Sequence, residues 1–187
     1  ANRVLSFCYK HWEGHIPDVD TATLRPADLE LLAAIEAGFS SVGDLLEAVK
    51  IRAALNEAMR LATEVNKYLD TSAPWKELKA DREEAAKSVY TALKAIDSLK
   101  TIFSPFLPFT SEKLHATFGY KTPLFGKQFV KTVEDNLGSH TALCYQGVEG
   151  EQWKPSNLQP GATFNQPSPL FKKLEKEIVE DERARLG

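Results

Sequence analysis

An all-α, antiparallel helical bundle followed by an irregular C-terminal extension is the fold this sequence predicts, and three observations lead to it. Apolar residues recur at i, i+3, i+4 and i+7 through long segments rich in Ala, Leu, Glu and Lys. Short Pro- and Gly-bearing breaks separate these segments, and short loops between helices favour antiparallel neighbours. Near Tyr120 the composition changes: Pro, Gly, Gln and Asn accumulate, and the period disappears until the last turns. Residues 1–119 therefore read as the bundle. Residues 120–187 read as an irregular extension ending in a helix that packs on it.

The elements follow in order. Residues 1 to about 14 read as the end of a helix stopped by Gly14, with Pro17 in the loop beyond. A second helix opens at Pro26 or Ala27, carrying Leu29, Leu32, Ala33 and Ile35, and is expected to break at Gly38 and Ser40-Ser41. A new run then opens at Val42-Gly43-Asp44. It holds the clearest stripe of the chain: Ile51, Ala54, Leu55, Ala58, Leu61, Ala62, Val65 and Leu69. Pro74 ends it, because the residue before a proline resists the helical conformation. The next helix covers roughly 81–103, with Ala85, Ala86, Val89, Leu93, Ile96, Leu99 and Phe103 on its apolar stripe. Pro105 and Pro108 bracket a turn into a short helix over 110–118. In the extension, strand-like pieces at 141–145 and near Gln152-Trp153 read as a small hairpin. The last amphipathic segment, 170–185, puts Leu174 and Ile178 on one face.

Composition narrows the function classes. The chain has 187 residues, 43% hydrophobic and 26% charged, as in ordinary globular domains. It carries no apolar run long enough to span a bilayer. The N-terminus has neither a signal-peptide core nor a starting methionine, and reads as a chain cut from a longer protein. Two distant cysteines, Cys8 and Cys144, make no disulfide framework and no zinc pattern, which fits a reduced, cytoplasmic setting. The net charge of -3 means that RNA, if bound, is held by local geometry and stacking rather than by bulk charge. There is no phosphate loop and no GxSxG elbow. His11, His15, His115 and His140 do not cluster with carboxylates at metal spacing.

The informative segment is Asn66-Lys67-Tyr68-Leu69-Asp70-Thr71-Ser72-Ala73-Pro74-Trp75-Lys76. A long helix stops and delivers a tryptophan immediately after a proline, beside a lysine. An indole face presented there stacks on an unpaired base with about 1–3 kcal/mol. Asn66 and Asp70 lie four apart on one helix face, and an amide and a carboxylate can read base edges; a lysine contacts phosphate without sequence information. The same residues also fit a plainer arrangement, in which Trp75 caps the end of the bundle and Asn66 and Asp70 face solvent.

This string resembles the signature of methionyl-tRNA synthetases, Asn-Lys/Arg-Tyr-hydrophobic-Asp-x-x-Ala-Pro-Trp. Asn2-Arg3-Val4-Leu5-Ser6-Phe7 resembles the helix that follows their catalytic core, and Ser104-Pro105-Phe106-Leu107-Pro108-Phe109-Thr110-Ser111-Glu112 resembles a turn of the same bundle. Pro169-Leu170-Phe171-Lys172-Lys173-Leu174 and Glu182-Arg183-Ala184-Arg185 are similar to the carboxyl end of bacterial members. The resemblance implies the anticodon-binding domain of a class I synthetase, with Trp75 stacking on an anticodon base and Arg3 helping to recognise it. It further implies that Asn66, Asp70, Pro74 and Lys76 belong to the tRNA-binding surface. The family's Asn one turn before Arg3 has no counterpart here. The implied partners are the anticodon arm of tRNA(Met), with its CAU anticodon, and the missing catalytic domain. The implied parent attaches methionine to tRNA using ATP and Mg, with Zn in many members. The signatures His-Ile-Gly-His and Lys-Met-Ser-Lys-Ser are absent, so this chain is expected to be inactive alone and to hold no cofactor or metal. The competing expectations are the anticodon domain of another class I synthetase and a helical protein-interaction module.

Overall fold

The computed structural model describes residues 1–136, 138–149, 153–171 and 177–186. Helix α1 is Asn2–His11, followed after a 3-10 turn at Thr21–Thr23 by α2, Pro26–Glu47, and α3, Ile51–Ser72. The short α4 is Pro74–Glu77, α5 is Arg82–Ile102 and α6 is Pro108–Thr117. Two strands, β1 (Lys127–Asp135) and β2 (Gly138–Gln146), pair antiparallel, and α7 is Glu177–Leu186. The predicted helical bundle with a small hairpin and a terminal helix is the architecture found.

Helix α5 is the axis of the bundle. Asp81 caps its start by accepting from the amides of Glu83 and Glu84 at 2.9 and 3.0 Å. The sequence pattern reads α5 as an amphipathic stripe, but nearly all of its faces are enclosed, by α2 and α3, by α1, α4 and α6, and by the extension. Its buried polar residues, including Ser88, Thr91, Asp97 and Lys100, hide that enclosure from a hydrophobicity pattern. The core runs from Val4, Leu5 and Cys8 of α1 through Ile35 and Val42 to Leu61, Leu93 and Ile102. Burying such side chains, at roughly 25 cal/mol per Å², is what holds the bundle together.

Helix α2 does not break at Gly38. It continues to Glu47, because Gly38 faces the core: an added Cβ would overlap the Cδ1 of Leu61 and lie 3.3 Å from that of Ile102. The glycine admits a close approach of α3 and α5. The actual break falls at 48–50, where Val49 adopts φ 57° and lets α3 fold back along α2. A β-branched residue in that conformation gives no glycine signal to a reader of the sequence.

The hairpin also differs from expectation. Strand β2 contains the predicted 141–145, but its partner is β1, in register from Lys127 against Gln146 to Asp135 against Gly138. Phe129 and Val130 are adjacent, which masks the alternation of β1. Gln152 and Leu174 lie outside the described residues. Trp153 is no strand residue: its indole N–H donates to the Phe39 carbonyl at 2.9 Å, and it meets the Phe39 ring edge-on. It fastens the extension to α2. Residues 158–165 are irregular but packed, with Leu158 and Phe164 buried and the Ile16 amide donating to the Ala162 carbonyl at 2.8 Å.

A buried polar cluster ties α5, α6 and the extension together. Lys100 Nζ donates to Asp97 Oδ1 at 2.7 Å and to His115 Nδ1 at 3.0 Å. His115 Nε2 is 2.8 Å from the Thr122 carbonyl, which fixes a neutral imidazole protonated at Nε2. Tyr120 donates to Asp97 Oδ2 at 2.7 Å and stacks on His115 with centroids 4.4 Å apart. Burial, and then the Lys100 ammonium, hold the His115 imidazole below its ordinary range. As pH falls, the unfolded chain takes up this proton first. The stability from a neutral His115 is therefore fully present above about pH 6.5 and lost below it. The urea midpoint is expected to fall between about pH 7 and about pH 5.5, and to fall less in His115→Gln; an equal fall in both proteins would contradict this.

Candidate nucleic-acid interface

The last turn of α3 and the start of α4 make a tight corner. Ser72 Oγ donates to the Tyr68 carbonyl at 2.8 Å, and Ala73 takes the left-handed conformation, φ 37° and ψ 57°. A residue with a Cβ in that region is strained by about 1–3 kcal/mol, a cost that persists where surrounding structure over-determines it. Pro74 then supplies the first residue of α4 with its φ already set, and it is buried. Trp75 follows, half-buried, and Lys76 is exposed.

Helix α1 brings Arg3 to the same corner. Val4, Leu5 and Cys8 bury one face of α1 in the core. Exposed Arg3, on the other side, lays its guanidinium carbon 3.5 Å from the centre of the Trp75 ring. An exposed cation–π contact of this kind contributes about 0.5–1 kcal/mol. The sequence places Arg3 and Trp75 72 positions apart, and the fold stacks them.

Asn66 and Asp70 are both exposed on α3. Asn66 lines a largely apolar cavity of about 280 Å³ between α3, α5 and α6, with Leu69, Leu99 and Leu114 among its walls. No hydrogen bond or ion pair engages the side chains of Asn66, Asp70 or Lys76 among the described residues. They are available to a ligand. Arg3, Pro74, Trp75 and Lys76 thus gather around the corner, whereas Asn66 and Asp70 stand on the α3 surface that leads to it.

Two features were not read from the sequence. Trp12 carries a second guanidinium, that of Arg82, at 5.0 Å, while Arg82 also donates to the His11 carbonyl at 2.7 Å. And Tyr68, inside the signature string, turns inward. Its hydroxyl donates to the fully buried Asp28 at 2.5 Å, and Arg25 grips the same carboxylate through Nε and Nη2 at 2.9 and 2.8 Å. Burial alone would raise the Asp28 carboxyl; the hydrogen bonds from Arg25 and Tyr68 outweigh it and hold the group below the usual carboxylate range.

Cys8, His11 and His15 are engaged elsewhere in the fold. Burial pushes the Cys8 thiol up to about 12, so it is no thiolate nucleophile. His11 rests against Phe7, and His15 is exposed with Nδ1 near the Glu13 carbonyl, so the two do not act as a pair. Among the described residues no group of three or more His, Cys, Asp or Glu could hold a metal ion, and no helix is long and apolar enough to cross a membrane.

Comparison with known proteins gives the chain its relatives. The family model for the anticodon binding domain of methionyl tRNA ligase matches residues 16–142. The methionine–tRNA ligase of Thermomicrobium roseum is 43% identical over 189 aligned residues, covering 100% of this chain and 32% of that protein. That of Chloroflexus aggregans is 44% identical, covering 100% of this chain and 31% of its own length. The chain thus spans about a third of the length of the curated relatives it matches. Mycobacterium tuberculosis methionyl-tRNA synthetase bound by methionyl-adenylate shares the fold, with a TM-score of 0.68 at 19% identity over 91% of this chain and 29% of that one. Its apo form gives 0.68 at 17% over 92% and 30%. The chain belongs to the family of methionyl-tRNA ligase anticodon-binding domains.

Proposed function

We propose that this chain holds the anticodon arm of tRNA(Met) and reads its CAU anticodon. It would do so on behalf of a cytoplasmic methionine–tRNA ligase whose remaining two-thirds activates methionine with ATP and Mg and transfers it to the tRNA. Any Zn would lie in that remainder too. The chain itself performs no chemistry. The observation that carries this reading is the Arg3–Trp75 stack on the strained Ala73-Pro74 corner. A half-exposed indole, held rigidly with a cation against it, suits a flipped base and a nearby phosphate. Asn66 and Asp70 supply polar edges for base readout, and Lys76 supplies charge for the backbone. Holding the anticodon loop at a fixed distance from the catalytic part orients the acceptor end, which is a positioning contribution to rate.

The test is the binding of fluorescently labelled anticodon stem-loops, one with CAU and one with a changed wobble base, followed by anisotropy. The CAU stem-loop is expected to bind about tenfold or more tighter, about 1.4 kcal/mol. Equal binding of both would show a general RNA-holding surface and remove the claim of anticodon reading.

A further inference from the structure

We propose that Tyr68, through the Arg25–Asp28 pair it joins, is a positioning residue for Trp75, fixing the angle at which the indole is offered to RNA. The consequence for RNA rests on the anticodon reading above; the positioning itself does not. Trp75 sits on α4, only four residues long. So short a helix does not hold its own direction in water. Its orientation must come from what grips it at either end.

Both grips converge on one guanidinium. At the α3 end, Tyr68 lies five residues before the left-handed Ala73, and its hydroxyl is bonded to Asp28 and lies 3.2 Å from Arg25 Nη2. At the far end of α4, Glu77 accepts from Ser88 Oγ at 3.3 Å and lies 3.9 Å from Arg25 Nη1. Arg25 Nη2 donates to the same Ser88 at 2.7 Å, and Nη1 is 3.4 Å from Glu84. Arg25 stands immediately before α2, Ser88 and Glu84 on α5, Tyr68 on α3 and Glu77 on α4. Four helices are thus locked at the corner that carries Trp75. Asn66 and Asp70, on either side of Tyr68 in the string, remain exposed, so the tyrosine has a task different from theirs. A support of this kind lowers the cost of binding by removing freedom that the ligand would otherwise have to freeze.

Tyr68→Phe keeps the ring and leaves Asp28 gripped by Arg25, so the chain stays folded. Binding of the CAU stem-loop is expected to weaken about tenfold in Tyr68→Phe, but less than about twofold when the same change is made in Trp75→Ala. A full tenfold loss in the Trp75→Ala background, or no loss in the wild-type background, would overturn the positioning role. An RNA-free readout separates this proposal from the anticodon reading. With 5-fluorotryptophan incorporated, the Trp75 fluorine resonance is expected to shift or broaden in Tyr68→Phe, with those of Trp12 and Trp153 unmoved; an unmoved Trp75 resonance would overturn the proposal. A wild-type chain that ignores the stem-loop overturns the anticodon reading alone, and the fluorine resonance then decides the positioning.

Discussion

Replacing Asp97 by alanine is expected to lower the unfolding free energy by about 3–5 kcal/mol, the range for removing one partner of a buried ion pair. Asp97 and Lys100 are 2% and 6% exposed, so neither charge has water to fall back on. The loss has two parts. Lys100 keeps only His115 Nδ1 and the Tyr120 ring, whose centroid is 4.3 Å from Nζ, to offset its burial. Tyr120 loses its 2.7 Å acceptor. Burial already pulls the Lys100 ammonium below its usual range, even with Asp97 opposing that effect. Without Asp97 the lysine is driven further toward its neutral form, which sets the upper limit on the cost. Removing both charges, as Asp97→Ala with Lys100→Met, should therefore recover part of the stability. Urea denaturation of the two variants measures this, and a loss below about 1 kcal/mol in Asp97→Ala would contradict it.

Trp75→Ala acts on binding instead of the core. Loss of a base-stacking indole costs about 1–3 kcal/mol, a roughly 5- to 140-fold rise in Kd for the CAU stem-loop. The corner itself survives, because its buried residue is Pro74 and its bonds run through Tyr68, Ser88 and Glu77. The change in unfolding free energy should accordingly fall well below the roughly 3–5 kcal/mol of a core tryptophan. A large loss of stability with unchanged RNA affinity would mean that Trp75 only covers the end of the bundle.

The helices were legible because their stripes and stop signals are local: Pro26 opens α2 where expected, α3 ends just before Pro74, and α6 opens at Pro108, two residues before the expected start. What the sequence hid depends on partners far along the chain. Gly38 reads as a breaker until Leu61 and Ile102 are set against it. Val49 turns the chain without a glycine, because tertiary packing imposes the conformation. Trp153 looked like a strand residue, yet its partner is Phe39, 114 positions away.

At the candidate site the same division holds. The Ala-Pro-Trp corner is a local signal and was read correctly as a helix end that delivers an indole. Its meeting with Arg3 was not read: the family resemblance gave both residues a role at the anticodon, but no spacing rule pairs the first helix with the fourth. Tyr68 was invisible as an anchor: a hydroxyl between two exposed polar residues looks like part of a reading face. Its inward partners, Asp28 and Arg25, lie 40 and 43 positions upstream. A buried aspartate three residues after an arginine at a helix start was the one available clue, and it reads equally well as an ordinary capping pair.

Stacking of an anticodon base on Trp75 underlies the proposed recognition. Its most direct test is the emission of Trp75 during titration with the CAU stem-loop, in a chain where Trp12 and Trp153 are replaced by phenylalanine. A saturable change in emission that tracks binding, and that is weaker with a changed wobble base, is the predicted result. RNA that binds while the Trp75 emission stays constant would contradict it, and would move the contact surface away from the Arg3–Trp75 corner.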